Sequence, residues 1–335
     1  MGIPTGNDIY ILSDLHLGEG YLPNAQRYSR LETFFYDLEF QHFVHAVIAK
    51  QEQRRVPATL VLNGDIFDFD NITALPHQAP MLIDWLSRLR GLHSEEWCSR
   101  FKIGRIIADH EEWFDALRAW VQAGHKAVFV VGNHDLELYW PSVQQHLREA
   151  LRLTPEENER VVFCEWFYIS ANETFCCHGH LFDGYCTIRD PIHPLISVYG
   201  RPRVRIPFGD LAERYMLNGM GYFNPHATEN FIMSLPEYIR FFLKYMLRDQ
   251  PLLLFTWFWS AGVTLAATLW TFWRPAMRDP LTIEEKVNNI AAKSNATPSQ
   301  VRMLNQLHAP SHATNPLQIL QELWLDRGVL FLLLW

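Results

Sequence analysis

Short runs of β-branched and apolar residues recur through the first 180 positions: Ile9–Leu12, Thr59–Leu62, Ala127–Val131, Val161–Ile169 and Thr174–Cys177. Between the first three lie Arg30–Gln53 and Glu95–Gly124, where apolar residues return at three- and four-residue steps, the period of an amphipathic helix. Pro141–Leu151 reads as a further helix with proline in its first turn. Strands that alternate with helices bury their apolar faces together, so this half of the chain predicts an α/β fold with sheets covered by helices.

Bulk properties narrow the class. A chain of 335 residues is long enough for a sizeable core, and its net charge of −8 counts against a protein that coats long nucleic acid. Cys98, Cys164, Cys176, Cys177 and Cys186 show neither a disulfide framework nor a CxxC pair, which suits a reducing compartment. The opening MGIPTGNDIYILSD lacks the basic and apolar regions of a signal peptide, so a cytoplasmic N-terminal domain is expected.

Four polar motifs follow the strand-like runs: Asp14-Leu15-His16, Gly64-Asp65-Ile66-Phe67-Asp68, Gly132-Asn133-His134-Asp135 and His178-Gly179-His180. Each alone is a common loop signature. Together, each at the carboxyl end of a strand, they occupy the place where α/β sheets bind ligands.

With these motifs in order, residues 8–185 resemble the calcineurin-like metallophosphoesterase superfamily. The resemblance implies two β-sheets packed face to face, flanked by helices, with a dinuclear metal centre at the sheet ends. It also implies that Asp14 and His16 bind one metal, Asp65 bridges, and Asn133 and His178 bind the second. His134 would stand beside the scissile phosphate, with Asp68 orienting it. Elementary chemistry agrees with such a set: a carboxylate bridges two cations, and mixed carboxylate, imidazole and amide donors suit Mn²⁺ foremost, with Fe²⁺ or Zn²⁺ also acceptable. One family element is missing, a late Gly-His-x-His, for which no match follows residue 180.

The second half changes character. Residues 251–273, PLLLFTWFWSAGVTLAATLWTFW, carry no charge, with Trp257 and Trp259 near one end and Trp270 and Trp273 near the other. As a helix this segment would reach about 34 Å, enough for a bilayer core of ~30 Å, and a transmembrane helix is expected. Thr256, Ser260, Thr264 and Thr268 fall at four-residue steps and line one of its faces. The expected organisation is a catalytic domain over 1–210, a helical juxtamembrane segment over 211–250, the span at 251–273, short helices over 274–327 and a second apolar segment beginning at 328–335. On that plan the chain continues beyond Trp335 into a second crossing, and the missing histidines follow it.

Substrate class is less constrained. SDLHLG and HGHLFDGYCTIRD resemble the UDP-2,3-diacylglucosamine pyrophosphatases of lipid A synthesis, although His180 and His134 stand where those enzymes carry Asp and Arg. Arg201, Arg203 and Arg205 alternate in YGRPRVRIP and, with Arg214, are candidates to grip phosphate or an anionic lipid surface. The leading expectation is a phosphoesterase or pyrophosphatase at the cell membrane, its catalytic domain facing the cytoplasm, acting on a phosphate-bearing small molecule or lipid. The competing readings are a nuclease or cyclic-nucleotide phosphodiesterase of the same fold, and a non-catalytic membrane protein with an incomplete metal site.

Overall fold

The computed structural model describes residues 8–22, 26–170, 173–217, 251–278 and 282–323, together with positions 236, 240, 243, 244 and 325. Its centre is a parallel sheet of four strands in the order β1 (Asp8–Leu12), β4 (Ala58–Asn63), β5 (Lys126–Val130) and β6 (Val161–Cys164). Between β1 and β4 come the two-residue strands β2 (Tyr21–Leu22) and β3 (Arg27–Tyr28), then helix α1 (Asp37–Arg54). Between β4 and β5 come α2 (Trp85–Arg90), α3 (Glu96–Asp109) and α4 (Glu111–Gln122), and between β5 and β6 come α5 (Pro141–Leu151) and α6 (Pro155–Asn158).

Side chains alternate across the sheet, as strand geometry requires. Leu60, Leu62, Ala127 and Phe129 face the helical layer, where they pack with Val44 and Val47 of α1 and Trp113, Leu117 and Trp120 of α4. Val61, Val128 and Val130 face the other way and pack with Tyr168 and Cys176. Those two residues lie in an antiparallel hairpin, β7 (Phe167–Ser170) and β8 (Thr174–Cys177). The α/β class holds. The expected second sheet, however, is among the described residues a two-stranded layer against this face, and a separate antiparallel pair, β9 (Leu195–Val198) and β10 (Arg201–Val204), contributes Val204 and Leu195 to the core of the helical side.

Two single runs of the sequence are pairs of elements. Glu95–Gly124 breaks at His110, where the backbone leaves helical geometry (φ −126°) and α4 begins. Val161–Ile169 divides into β6 and β7 around Glu165 and Trp166. Periodicity hides both breaks, because apolar spacing continues through each.

The C-terminal third adds helix α7 (Phe208–Ala212), which runs into a wider helical turn over Glu213–Leu217. The long helix α8 (Pro251–Trp273) follows, then α9 (Ile283–Lys293), α10 (Pro298–Leu307) and α11 (Pro316–Glu322). Thr297 caps α10 in a reciprocal capping box with Gln300, and Asn315 caps α11.

The expected membrane crossing at 251–273 requires correction. Residues 251–273 are helical, but no helix among the described residues is long and apolar enough to cross a membrane. The packing gives a physical reason: the chain on both sides of α8 lies on the same body. Before it, Phe208 packs with Ala261, Ile319 and Leu323. After it, α9 and α10 cover the hairpin, with Val287, Ile290, Ala291 and Val301 against Trp166 and Phe167. Backbone bonds from Ile169 N–H to Ser294 O (2.9 Å) and from Ala309 N–H to Leu181 O (2.8 Å) complete the seam. A bilayer cannot divide segments that share one core. The expected second apolar segment at 328–335, and most of the 211–250 segment beyond Leu217, lie outside the described residues.

Candidate metal centre

The loops after β1 and β4 are zipped together by their backbones. Asp14 N–H donates to Gly64 O (3.1 Å), His16 N–H to Asp65 O (3.0 Å), Leu17 N–H to Ile66 O (2.9 Å) and Asp68 N–H to Leu17 O (2.9 Å). Asp14, His16 and Asp65 all adopt left-handed backbone conformations, with φ of 55°, 55° and 53°. Each such position costs on the order of 1–2 kcal/mol for a residue with a Cβ, and strain of this kind gathers at functional sites. Two glycines permit the close approach of neighbouring loops. A Cβ on Gly64 (φ +85°) would fall 2.4 Å from the His178 ring, and one on Gly132 would fall 2.2 Å from Asp65 Oδ1.

Those loops bring the sequence-predicted residues to the carboxyl ends of β1, β4, β5 and β8. Asp14, His16 and Asp65 have donor atoms within 4.8 Å of one another, and so do His16, Asp68 and His134. Asp65 is buried at the centre: Oδ1 accepts the His134 backbone N–H (3.0 Å), and Oδ2 lies 3.0 Å from His178 Nε2. On its other side, His178 Nδ1 donates to the Asn63 carbonyl (3.1 Å). This bond fixes the ring orientation with Nε2 toward Asp65, the arrangement that metal-binding histidines use. A proton on Nε2 or a cation shared with Asp65 Oδ2 can satisfy this 3.0 Å contact, and an imidazole nitrogen beside a carboxylate oxygen is a donor set that suits a divalent cation.

Asp68 is fully buried. Its Oδ2 lies 3.3 Å from His16 Nδ1 and its Oδ1 3.6 Å from His134 Nδ1, a distance of ion pairing rather than hydrogen bonding. It also accepts the Asn71 side-chain amide (2.6 Å). The His16 and His134 rings meet edge to face at 4.7 Å.

Electrostatics follow from this crowding. Burial pushes the Asp65 and Asp68 carboxyls up, but the imidazoles of His134, His16 and, for Asp65, His178 outweigh it and hold both below the usual carboxylate range. Burial disfavours the charged His134 ring, yet Glu213, Asp68, Asp65 and Asp210 raise it well above the ordinary value. His178 is likewise raised to about 9, with burial overcome by Asp65. His180, buried and facing the charge of His178, is pushed down to about 3.

Three acids here had no role assigned from the sequence, and only Asp135 lay in a motif. Asp135 is fully buried, and its carboxylate accepts the backbone N–H groups of Ile66 (2.9 Å) and Gly132 (2.5 Å), clamping the β4 and β5 loops together. Asp210 accepts the Asn133 amide (2.9 Å), and Glu213 Oε2 lies 3.4 Å from His134 Nε2. Asp210 and Glu213 belong to α7 and the turn after it, a segment without any motif. The one available signal, the Gly209-Asp210 pair, is indistinguishable from an ordinary turn.

The arginines expected to grip phosphate each meet a partner within the protein. Arg205 is buried and donates to three backbone carbonyls at the C-terminal end of α8, Thr271 O (2.9 Å), Phe272 O (3.4 Å) and Arg274 O (2.7 Å). Arg203 pairs with Glu95, and Arg201 reaches the Met81 sulfur. Arg214 pairs with Asp70 (3.3 Å) and donates to the carbonyls of Gly91 and Leu92. Arg201 and Arg203 lie on β10 and Arg205 just after it, and the three contact separate parts of the protein. The late histidines His308 and His312 have other neighbours: His308 Nδ1 bonds the Asn305 carbonyl, and the His312 ring lies 4.5 Å from Tyr185, tilted by 60°.

Comparison with protein families matches residues 8–210 to the calcineurin-like phosphoesterase family. Comparisons with curated proteins and with solved structures give no match.

Proposed function

The chain belongs to the calcineurin-like phosphoesterase family, hydrolases of phosphate esters, and from that premise we propose that it cleaves a phosphoester or pyrophosphate bond in an amphiphile at a membrane surface. Asp14, His16 and Asp65 would hold one divalent cation, and Asp65, Asn133 and His178 the other, with Mn²⁺ preferred over Fe²⁺ or Zn²⁺ for this donor mixture. When bound, the cations supply Lewis acidity, withdrawing charge from phosphoryl oxygens and acidifying the attacking water. Asp65 would serve both, since its carboxylate lies within 4.8 Å of the donor atoms of Asp14 and His16 and 3.0 Å from His178 Nε2. His134, kept protonated by the carboxylates around it, would donate a proton from Nε2 to the departing oxygen, with Asp68 steadying the ring from the Nδ1 side. The observation that supports this reading is His178 Nε2 held 3.0 Å from Asp65 Oδ2 by the Nδ1 bond to the Asn63 carbonyl.

The membrane surface rests on α8. Its buried side is polar or small, with Ser260, Ala261, Thr264 and Thr268, while Phe255, Trp259, Trp270 and Trp273 are exposed along the opposite side. A helix of a water-soluble body has the reverse pattern. Such an aromatic face, with Arg274 stacked on Trp270 (4.3 Å) at its end, suits insertion into the lipid interface from one side. The five free thiols favour the reducing, cytoplasmic face of that membrane.

Hydrolysis tests the chemistry. With Mn²⁺, the protein should cleave an aryl phosphodiester, and His134→Ala should lose at least 10²-fold in kcat. Full activity in that variant would remove His134 from the mechanism.

A further inference from the structure

Helix α7 and the turn after it lie against the candidate metal centre although the motifs end at His180. Phe208 anchors the helix to Ala261 of α8 and to Ile319 and Leu323 at the other end of the chain. Gly209 N–H adds a bond to Tyr185 O (2.9 Å), and a Cβ on Gly209 would come within 3.3 Å of that same oxygen. Thus anchored, the helix presents Asp210 to Asn133, both buried, with Asn133 Nδ2 donating to Asp210 Oδ1 at 2.9 Å. The second Asp210 oxygen is buried without a hydrogen-bond partner.

Asn133 Nδ2 faces Asp210 Oδ1, and an ionised carboxylate can only accept from the amide, so this contact sets which way Asn133 is turned. The NH₂ group is turned to Asp210, and the amide oxygen, the atom able to bind a cation, is turned away from it. Against an ionised Asp210 the opposite flip would set two oxygens face to face in a buried place, a costly arrangement. We propose that Asp210 is a positioning residue that sets the Asn133 amide oxygen for the second cation, so that the helices beyond residue 250, by seating α7, complete the centre. The proposal rests on the two-cation reading above. Groups that hold a ligand's orientation in this way typically change metal affinity 10–100-fold when removed.

The test is a double-mutant cycle on the full 335-residue chain, with Mn²⁺ titrated into metal-free protein and uptake followed calorimetrically and by electron paramagnetic resonance. Wild type should take up two Mn²⁺. Asp210→Ala should keep the tighter site and weaken the other about tenfold or more, with loss of the spin-coupled pair signal. In an Asn133→Ala background the same change should have no further effect, because no amide is left to orient. If Asp210→Ala does not fold, as judged by circular dichroism, Asp210→Asn replaces it in the cycle, with a smaller loss expected and the same disappearance of the effect. An Asp210 variant that retains both cations at wild-type affinity, or weakens the second equally in both backgrounds, overturns the positioning role while leaving the two-cation reading intact. Wild-type protein that binds no Mn²⁺ would overturn both.

Discussion

Replacing Arg205 with methionine separates a structural cation from a substrate-binding one. Methionine keeps much of the buried stem but removes the guanidinium that spans Thr271 O, Phe272 O and Arg274 O at 2.9, 3.4 and 2.7 Å. Hydrogen bonds to a charged group contribute about 1.5–3 kcal/mol each, and two of these three have good length. The gross loss is therefore roughly 3–6 kcal/mol. Part is regained: burial already lowers the Arg205 pKa to about 10, a sign of costly desolvation, and carbonyls at a helix end can turn to water. A net destabilisation of about 2 kcal/mol is expected, confined to the docking of α8. Urea denaturation should show it, and protease should cut near residue 274 first, while hydrolysis in the folded protein keeps its KM. A change below about 0.5 kcal/mol with a tenfold rise in KM would return Arg205 to the phosphate and refute the capping argument.

Two further outcomes follow from other parts of the fold. His110, between α3 and α4, has its pKa raised to about 9 by Asp37 and Glu32, which overcome burial; because the folded value exceeds the unfolded one near 6.5, the stabilisation is complete below pH 6.5 and disappears as pH rises through 9. Denaturation at pH 6 and pH 10 should differ by on the order of 3 kcal/mol from this group, and His110→Gln should abolish that component; an unchanged difference would contradict the ion pair. Phe255→Ser with Trp259→Ser should abolish co-sedimentation with vesicles containing phosphatidylserine without altering hydrolysis of a soluble aryl phosphodiester, whereas undiminished vesicle binding would argue against a lipid-facing α8.

The fold's centre was legible because parallel strands buried on both faces declare themselves as uninterrupted apolar runs. The candidate ligands were legible for a related reason: Asp14, Asp65, Asn133 and His178 directly follow such runs, so topology collects them without knowledge of packing. What the sequence could not reveal was whatever depends on partners distant along the chain. Nothing in Arg201, Arg203 and Arg205 announces Met81, Glu95 and the end of α8 as their partners. The hydroxyl stripe of residues 256–268 was correctly placed on one helix face, but only the tertiary structure shows that Ser260, Thr264 and Thr268 turn toward the protein rather than toward another membrane helix. Asp210 and Glu213 acquire meaning only once α7 is folded onto Asn133 and His134.

Metal stoichiometry tests the central claim most directly. Protein freed of metal, saturated with Mn²⁺ and passed through a desalting column should retain two ions per chain by elemental analysis, and His178→Ala should retain one. A wild-type protein that retains none, or a His178→Ala variant that still retains two, would contradict the dinuclear centre.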